Sequence, residues 1–158
     1  MGELKQGIAG LALTPLKRIS TPAGDVLHAL KAQEDSFTTF GEAYFSMIEP
    51  DQIKGWKRHK AMTMNLVVPV GRIGFLLRDE REGSPTKGRT ERVELSPNSL
   101  ADYGRLTVAP DLWMAFGNLD TATSILLNII DIPHDPDEAE TRPLDAFDHS
   151  PLSYYRAT

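Results

Sequence analysis

Eleven prolines and twelve glycines are scattered along the whole of this 158-residue chain, and the runs they leave between them are short. Proline interrupts helices and central strands, and glycine marks turns, so this punctuation favours many short strands over long helices. The intervening runs support strands. Over residues 62–68, Met62, Met64, Leu66 and Val68 fall on one side of an extended chain, and Thr63, Asn65 and Val67 on the other. Residues 90–95 (TERVEL) alternate in the same way, residues 39–46 (TFGEAYFS) mix aromatic and small side chains, and residues 105–108 are short and β-rich. Pro69 interrupts the first of these runs, and residues 71–77 (GRIGFLL) start another. The most apolar run, residues 123–132 (TSILLNIIDI), fits a strand or a short helix by period alone; its β-branched content and flanking turn residues favour a strand. Strands at this spacing, without alternating helices, indicate an all-β sandwich or barrel.

The composition is that of a globular domain, 41% hydrophobic and 25% charged. Its 17 basic and 22 acidic residues give a net charge of −5. A general nucleic-acid binder carries a basic excess, so nucleic acid is not an expected partner. No stretch approaches the roughly 20 apolar residues of a membrane span. The N-terminal residues (MGELKQGIAG) make a poor signal peptide, and the lack of cysteine rules out disulfides and thiolate metal sites. A cytoplasmic protein is expected. The organisation expected is a single domain: an N-terminal arm over residues 1–23, a barrel over 24–132, and a polar, proline-rich C-terminal segment over 133–158. That segment would be irregular or briefly helical, would wrap the surface, and ends in the pair Tyr154 and Tyr155.

Two segments carry a resemblance. Residues 79–95 read DEREGSPTKGRTERVEL, and residues 108–116 read VAPDLWMAF. With residues 53–71 they resemble the central part of the dTDP-4-dehydrorhamnose 3,5-epimerases. In that family a Gly-Ser-Pro-Thr-x-Gly hairpin precedes a strand ending in Glu-Leu-Ser, as Gly83, Ser84, Pro85, Thr86, Gly88 and Glu94-Leu95-Ser96 do here. The resemblance spans roughly residues 24–147 and implies a cupin jelly-roll barrel that forms homodimers. It further implies a nucleotide-diphospho-sugar bound in the barrel and proton abstraction beside a keto group, without metal or cofactor.

The family's functional residues map unevenly. Its base is a His in Arg-Gly-x-His; here the run is Lys54-Gly55-Trp56-Lys57-Arg58-His59. Lys54 stands in the phosphate-binding position and Lys57 in that of the base, with His59 two residues on and so on the same strand face. Lys57 and His59 are the catalytic candidates; the other reading of residues 57–60 is a solvated charge run. Met64, Met114 and Ile132 stand where the family has a Lys, a His and a Tyr. Glu42 and Tyr44, which share a face with Ser46, are substrate-binding candidates together with Lys54, Arg58, Asn65, Trp113 and Met114. Glu42 and Tyr44 have the alternative of a solvent-facing stripe, Asn65 of a satisfied amide, Trp113 and Met114 of core, and Arg58 of the charge run. Asn128 has the same two readings as Asn65, with the structural one at least as strong. The metal-binding cupin pattern of two His, a Glu and a later His is not kept, so no metal is expected. His134 and His149 lie in tail contexts and read as exposed. The expected function is a sugar-nucleotide epimerase or isomerase in deoxysugar biosynthesis. The alternative is a non-catalytic cupin that binds a sugar nucleotide or small anionic ligand.

Overall fold

The computed structural model describes residues 7–153, an all-β sandwich of two five-stranded antiparallel sheets. The first is ordered β1 (Leu11–Pro15), β9 (Gly104–Val108), β6 (Met64–Val70), β11 (Ser124–Ile130) and β4 (Glu42–Ile48). The second is ordered β12 (Ala139–Thr141), β5 (Ile53–His59), β10 (Leu112–Asn118), β7 (Ile73–Asp79) and β8 (Thr90–Leu95). β2 (Arg18–Ile19) and β3 (Val26–Leu27) form a small separate ribbon. Three short 3-10 turns, Pro136–Glu138, Leu144–Ala146 and Ser150–Leu152, break up the C-terminal segment. Tyr154 and Tyr155 lie outside the described residues.

The alternation read from the sequence fills the space between the sheets. Met62, Met64, Leu66 and Val68 join Ile73, Phe75, Leu77, Leu106, Leu126 and Ile130 in one buried cluster. β11 alternates buried and half-buried residues along its whole length, as a strand covered on one face does. Part of the expected N-terminal arm is a sheet element, since β1 pairs with β9 from Leu11↔Val108 to Pro15↔Gly104.

Pro69 does not end its strand. β6 runs on to Val70, and its pairing with β11 slips by one residue between Leu127↔Val67 and Ile125↔Val70. The proline sits in that bulge, where a missing N–H breaks no ladder bond. The reversal comes at Gly71, with φ 86°. A Cβ there would stand 2.1 Å from Ser124 Oγ, so both conformation and space demand glycine.

The Gly-Ser-Pro-Thr-x-Gly hairpin joins β7 to β8, and Asp79 accounts for its composition. The carboxylate is fully buried and accepts hydrogen bonds from Arg81 Nε and Nη2 (both 2.9 Å), Arg81 N (3.1 Å), Ser84 Oγ (2.6 Å) and Thr86 Oγ1 (2.6 Å). Arg81 first, then the Ser84 and Thr86 hydroxyls, hold this carboxyl far below the usual carboxylate range despite its burial.

Candidate active site

The outer face of the second sheet is covered by the C-terminal segment, and this sorts the residues of β5 and β10. Trp56 and Trp113 are fully buried with Leu76, Ala115 and Leu152 in a second apolar cluster beneath Leu144 and Phe147. Trp56 Nε1 donates to the Leu144 carbonyl at 2.9 Å. Arg58 lies opposite Trp113, with its guanidinium carbon 5.1 Å from the indole centroid, and donates to Glu140 at 2.8 Å. Arg58 and Trp113 are therefore not brought to the barrel interior; they are part of the layer that holds the C-terminal segment on the sheet. Asn65 is not interior either. It lies on the outer face of the first sheet, where its Oδ1 accepts from Arg105 Nε (3.1 Å) and Thr107 Oγ1 (2.6 Å) and its Nδ2 donates to the Ser36 carbonyl.

The other candidates lie on the inward-facing sides of their strands, with Lys54 exposed near the start of β5. β5 pairs with β10 as Arg58↔Trp113 and Lys57↔Met114, then as Lys54↔Phe116 and Ile53↔Gly117, so one extra residue is inserted between Lys54 and Lys57. Gly55 and Trp56 both face outward at this bulge, each against Leu144. Beyond it, Lys54 returns to the inner side with Phe116. Lys54, Lys57 and His59 thus share the inward face of β5, beside Met114 and Phe116 of the core. Across the sandwich, β4 turns Glu42, Tyr44 and Ser46 inward and Ala43, Phe45 and Met47 outward. Asn128 on β11 pairs with Tyr44 and donates to Ser46 Oγ at 3.2 Å. The amide left open in the sequence is thus on the inner face and satisfied there. Met64 and Met114 are core side chains.

His59 has a buried partner that sequence reading missed. Its Nδ1 lies 2.7 Å from Glu138 Oε2, with both side chains about nine-tenths buried. Glu138 Oε1 accepts from the backbone N–H groups of Ala61 (2.8 Å) and Met62 (3.0 Å). Burial works against this carboxylate, but the Ala61, His59 and Met62 hydrogen bonds outweigh it and the carboxyl falls below its ordinary value. An ionised carboxylate only accepts, so Nδ1 carries a proton, and the neutral form of this ring has its lone pair on Nε2. Glu138 reaches this position because β12 pairs with β5, Ala139 opposite His59 and Thr141 opposite Lys57. On β4, in the other sheet, Tyr44 is half-buried and packs against the core. Burial, then the Glu42 carboxylate, push its phenol above the ordinary value, so it stays a proton donor at neutral pH.

The chemistry carried by these inward faces is two lysines, a carboxylate-oriented imidazole and a phenol, residue types suited to holding an anion and moving a proton. No group of three or more potential metal ligands occurs among the described residues. His134 and His149 are both in the C-terminal segment, His134 exposed and His149 half-buried. No helix among the described residues is long and apolar enough to cross a membrane.

No family model matches the chain. A solved structure of a dTDP-sugar isomerase from Desulfovibrio desulfuricans G20 is 40% identical, covers 88% of this chain and 87% of its own, and superposes with a TM-score of 0.84. A probable low-salt glycan biosynthesis epimerase of Haloferax volcanii is 29% identical over 109 residues, which are 66% of this chain and 67% of the relative. The dTDP-4-dehydrorhamnose 3,5-epimerase of Sulfolobus tokodaii is 20% identical, covers 89% of this chain and 81% of its own, and has the same fold at a TM-score of 0.76.

Proposed function

Because the chain belongs to the family of dTDP-sugar isomerases and 3,5-epimerases, we propose that it binds a nucleotide-diphospho-4-keto-6-deoxysugar between its sheets and epimerises or isomerises it by side-chain proton transfer. The observation that carries this reading is the buried His59–Glu138 pair on the same strand face as Lys57 and Lys54. A keto group acidifies the protons on its neighbouring carbons enough for a side-chain base. His59 Nε2 takes such a proton, and Glu138 stabilises the imidazolium that results. The Lys57 ammonium faces the enolate oxygen, and Lys54 takes a phosphate of the ligand. The Tyr44 phenol returns a proton from the opposite sheet. Return to the opposite face of the same carbon inverts it, and return to the neighbouring carbon shifts the keto group.

A non-catalytic binder is the second reading, favoured by the apolar packing of Met64 and Met114 where the family has a Lys and a His. Incubation with dTDP-4-keto-6-deoxyglucose in deuterated water separates the two. Deuterium entering at C3 or C5, and lost in Lys57→Ala and His59→Ala, supports catalysis; tight binding without exchange supports the binder. The proposal includes a homodimer. The outer face of the first sheet exposes Phe45 (67%), Met47 (61%) and Val70 (46%), with Leu127 opposite Phe45 and Ile125 opposite Met47. A contiguous apolar sheet face of this kind suits a second copy. It also includes a cytoplasmic location, in keeping with a cysteine-free sequence.

A further inference from the structure

The chain leaves the first sheet at the end of β11 and reaches the edge of the second at β12, crossing the gap between the β4 and β5 edges. This crossing, residues 131–138, is firmly held at both ends. At its start Gly41 N donates to the Ile130 carbonyl at 2.8 Å, and Asp131 Oδ1 accepts from Thr63 N at 2.8 Å. At its end Glu138 accepts from His59, Ala61 and Met62, and its carbonyl accepts from Lys60 N at 3.0 Å. Residues 133–137 between these anchors are exposed. Among the described residues, two hydrogen bonds tie them to the barrel: that of the exposed Lys60 ammonium, 3.4 Å from the Asp137 carbonyl, and that of Glu42 Oε2, which accepts from His134 N at 2.9 Å.

We infer that Glu42 is a positioning residue: by holding the His134 N–H it latches the crossing segment, and so keeps Glu138 on His59. The inference rests on the proton-transfer reading above and assigns Glu42 a role within it. Glu42 faces inward from β4, yet its carboxylate is engaged with backbone rather than left open for a ligand. The hydrogen bond is charge-assisted but exposed, so its loss shifts an opening equilibrium by up to about tenfold. The contact uses the backbone of residue 134, so the His134 imidazole takes no part in it.

The test compares Glu42→Ala, Glu42→Gln and His134→Ala in the full chain, with three readouts. These are amide hydrogen exchange over 133–138, the hydrogen-bonded Nδ1–H proton resonance of His59, and deuterium wash-in to dTDP-4-keto-6-deoxyglucose resolved into kcat and KM. Glu42→Ala should speed amide exchange at 133–138 by up to about tenfold, weaken the His59 resonance, and lower kcat by up to about tenfold with KM within threefold. Glu42→Gln, whose amide oxygen still accepts the N–H, should restore most of each, and His134→Ala should match the wild type. Unchanged amide exchange in Glu42→Ala overturns the latch. So does a rise in KM alone in both Glu42 variants, the result expected of a ligand contact. If the wild type shows no wash-in, the proton-transfer reading fails, and the first two readouts still decide the latch.

Discussion

Replacing Glu138 with Gln or Ala separates its chemical role from its structural one. In Glu138→Gln the amide oxygen can take the place of Oε1 and keep the bonds from Ala61 N and Met62 N. The amide NH2 then falls where Oε2 stood, 2.7 Å from His59 Nδ1. Nδ1 must now accept, which puts the ring proton on Nε2 and removes the lone pair assigned to the proton transfer. The stability cost is one charge-assisted hydrogen bond exchanged for a neutral one, about 1 kcal/mol. The rate cost is that of a positioned general base, about 100-fold to 10,000-fold in exchange. In Glu138→Ala the order of effects changes. Met62 N is left without an acceptor at a buried residue, whereas exposed Ala61 turns to water. The orphaned N–H and the lost imidazole bond together cost about 2–4 kcal/mol. Urea unfolding and deuterium wash-in measured on both variants check this. Wash-in for Glu138→Gln within threefold of wild type would refute the tautomer argument, and Glu138→Gln less stable than Glu138→Ala would refute the hydrogen-bond assignment.

Other outcomes follow from the same geometry. Asp79→Ala should cost about 3 kcal/mol in urea unfolding with little change in m, since it leaves the Arg81 guanidinium without its carboxylate. The carboxyls of Asp79 and Glu138 are lowered in the folded state, so their stabilisation is present above the unfolded values near pH 4 and lost as pH falls toward the folded ones. The acid limb of a stability profile should accordingly be shallower in Asp79→Asn, by up to about 1.4 kcal/mol per pH unit. Gly41→Ala would place a Cβ 2.4 Å from the Ile132 carbonyl carbon, so it should destabilise by about 1–3 kcal/mol, read by thermal melting, and speed amide exchange at 131–134. Phe45→Lys should move the protein from dimer to monomer in sedimentation velocity; a wild type that is already monomeric at about 100 μM would dismiss the apolar face as a dimer surface.

The barrel is legible in the sequence because its signals are local. Residues 90–95 alternate in the sequence and form β8 over the same span, and Met62, Met64, Leu66 and Val68 face the core as their period requires. The site is less legible because two non-local facts arrange it. The bulge in β5 has no turn residue that sets it apart from any other Gly-containing strand, and only pairing with β10 places it. Glu138 lies in a polar stretch without periodicity, 79 residues from His59, and nothing nearby in sequence signals that it closes a pair. Arg58 and Trp113 look like ligand contacts while the second sheet is imagined bare. The C-terminal segment that covers them contributes Phe147 and Glu140, and both residues are claimed by it.

The bulge also gives the barrel interior a direction. In a regular strand, Lys54 would point away from Lys57 and His59, and the inner face of β5 would carry charge toward one end only. With the extra residue, one lysine stands near the β4–β5 turn, a second at mid-strand, and an imidazole at the far end, spread over roughly 13–16 Å at about 3.3 Å per residue. Such a row acts as a ruler with unlike ends. On the proposed function, a ligand with charge at one end and reactive carbon at the other would fit it in one orientation, and deleting one residue at position 55 or 56 would erase the scale while leaving every charged side chain in the chain.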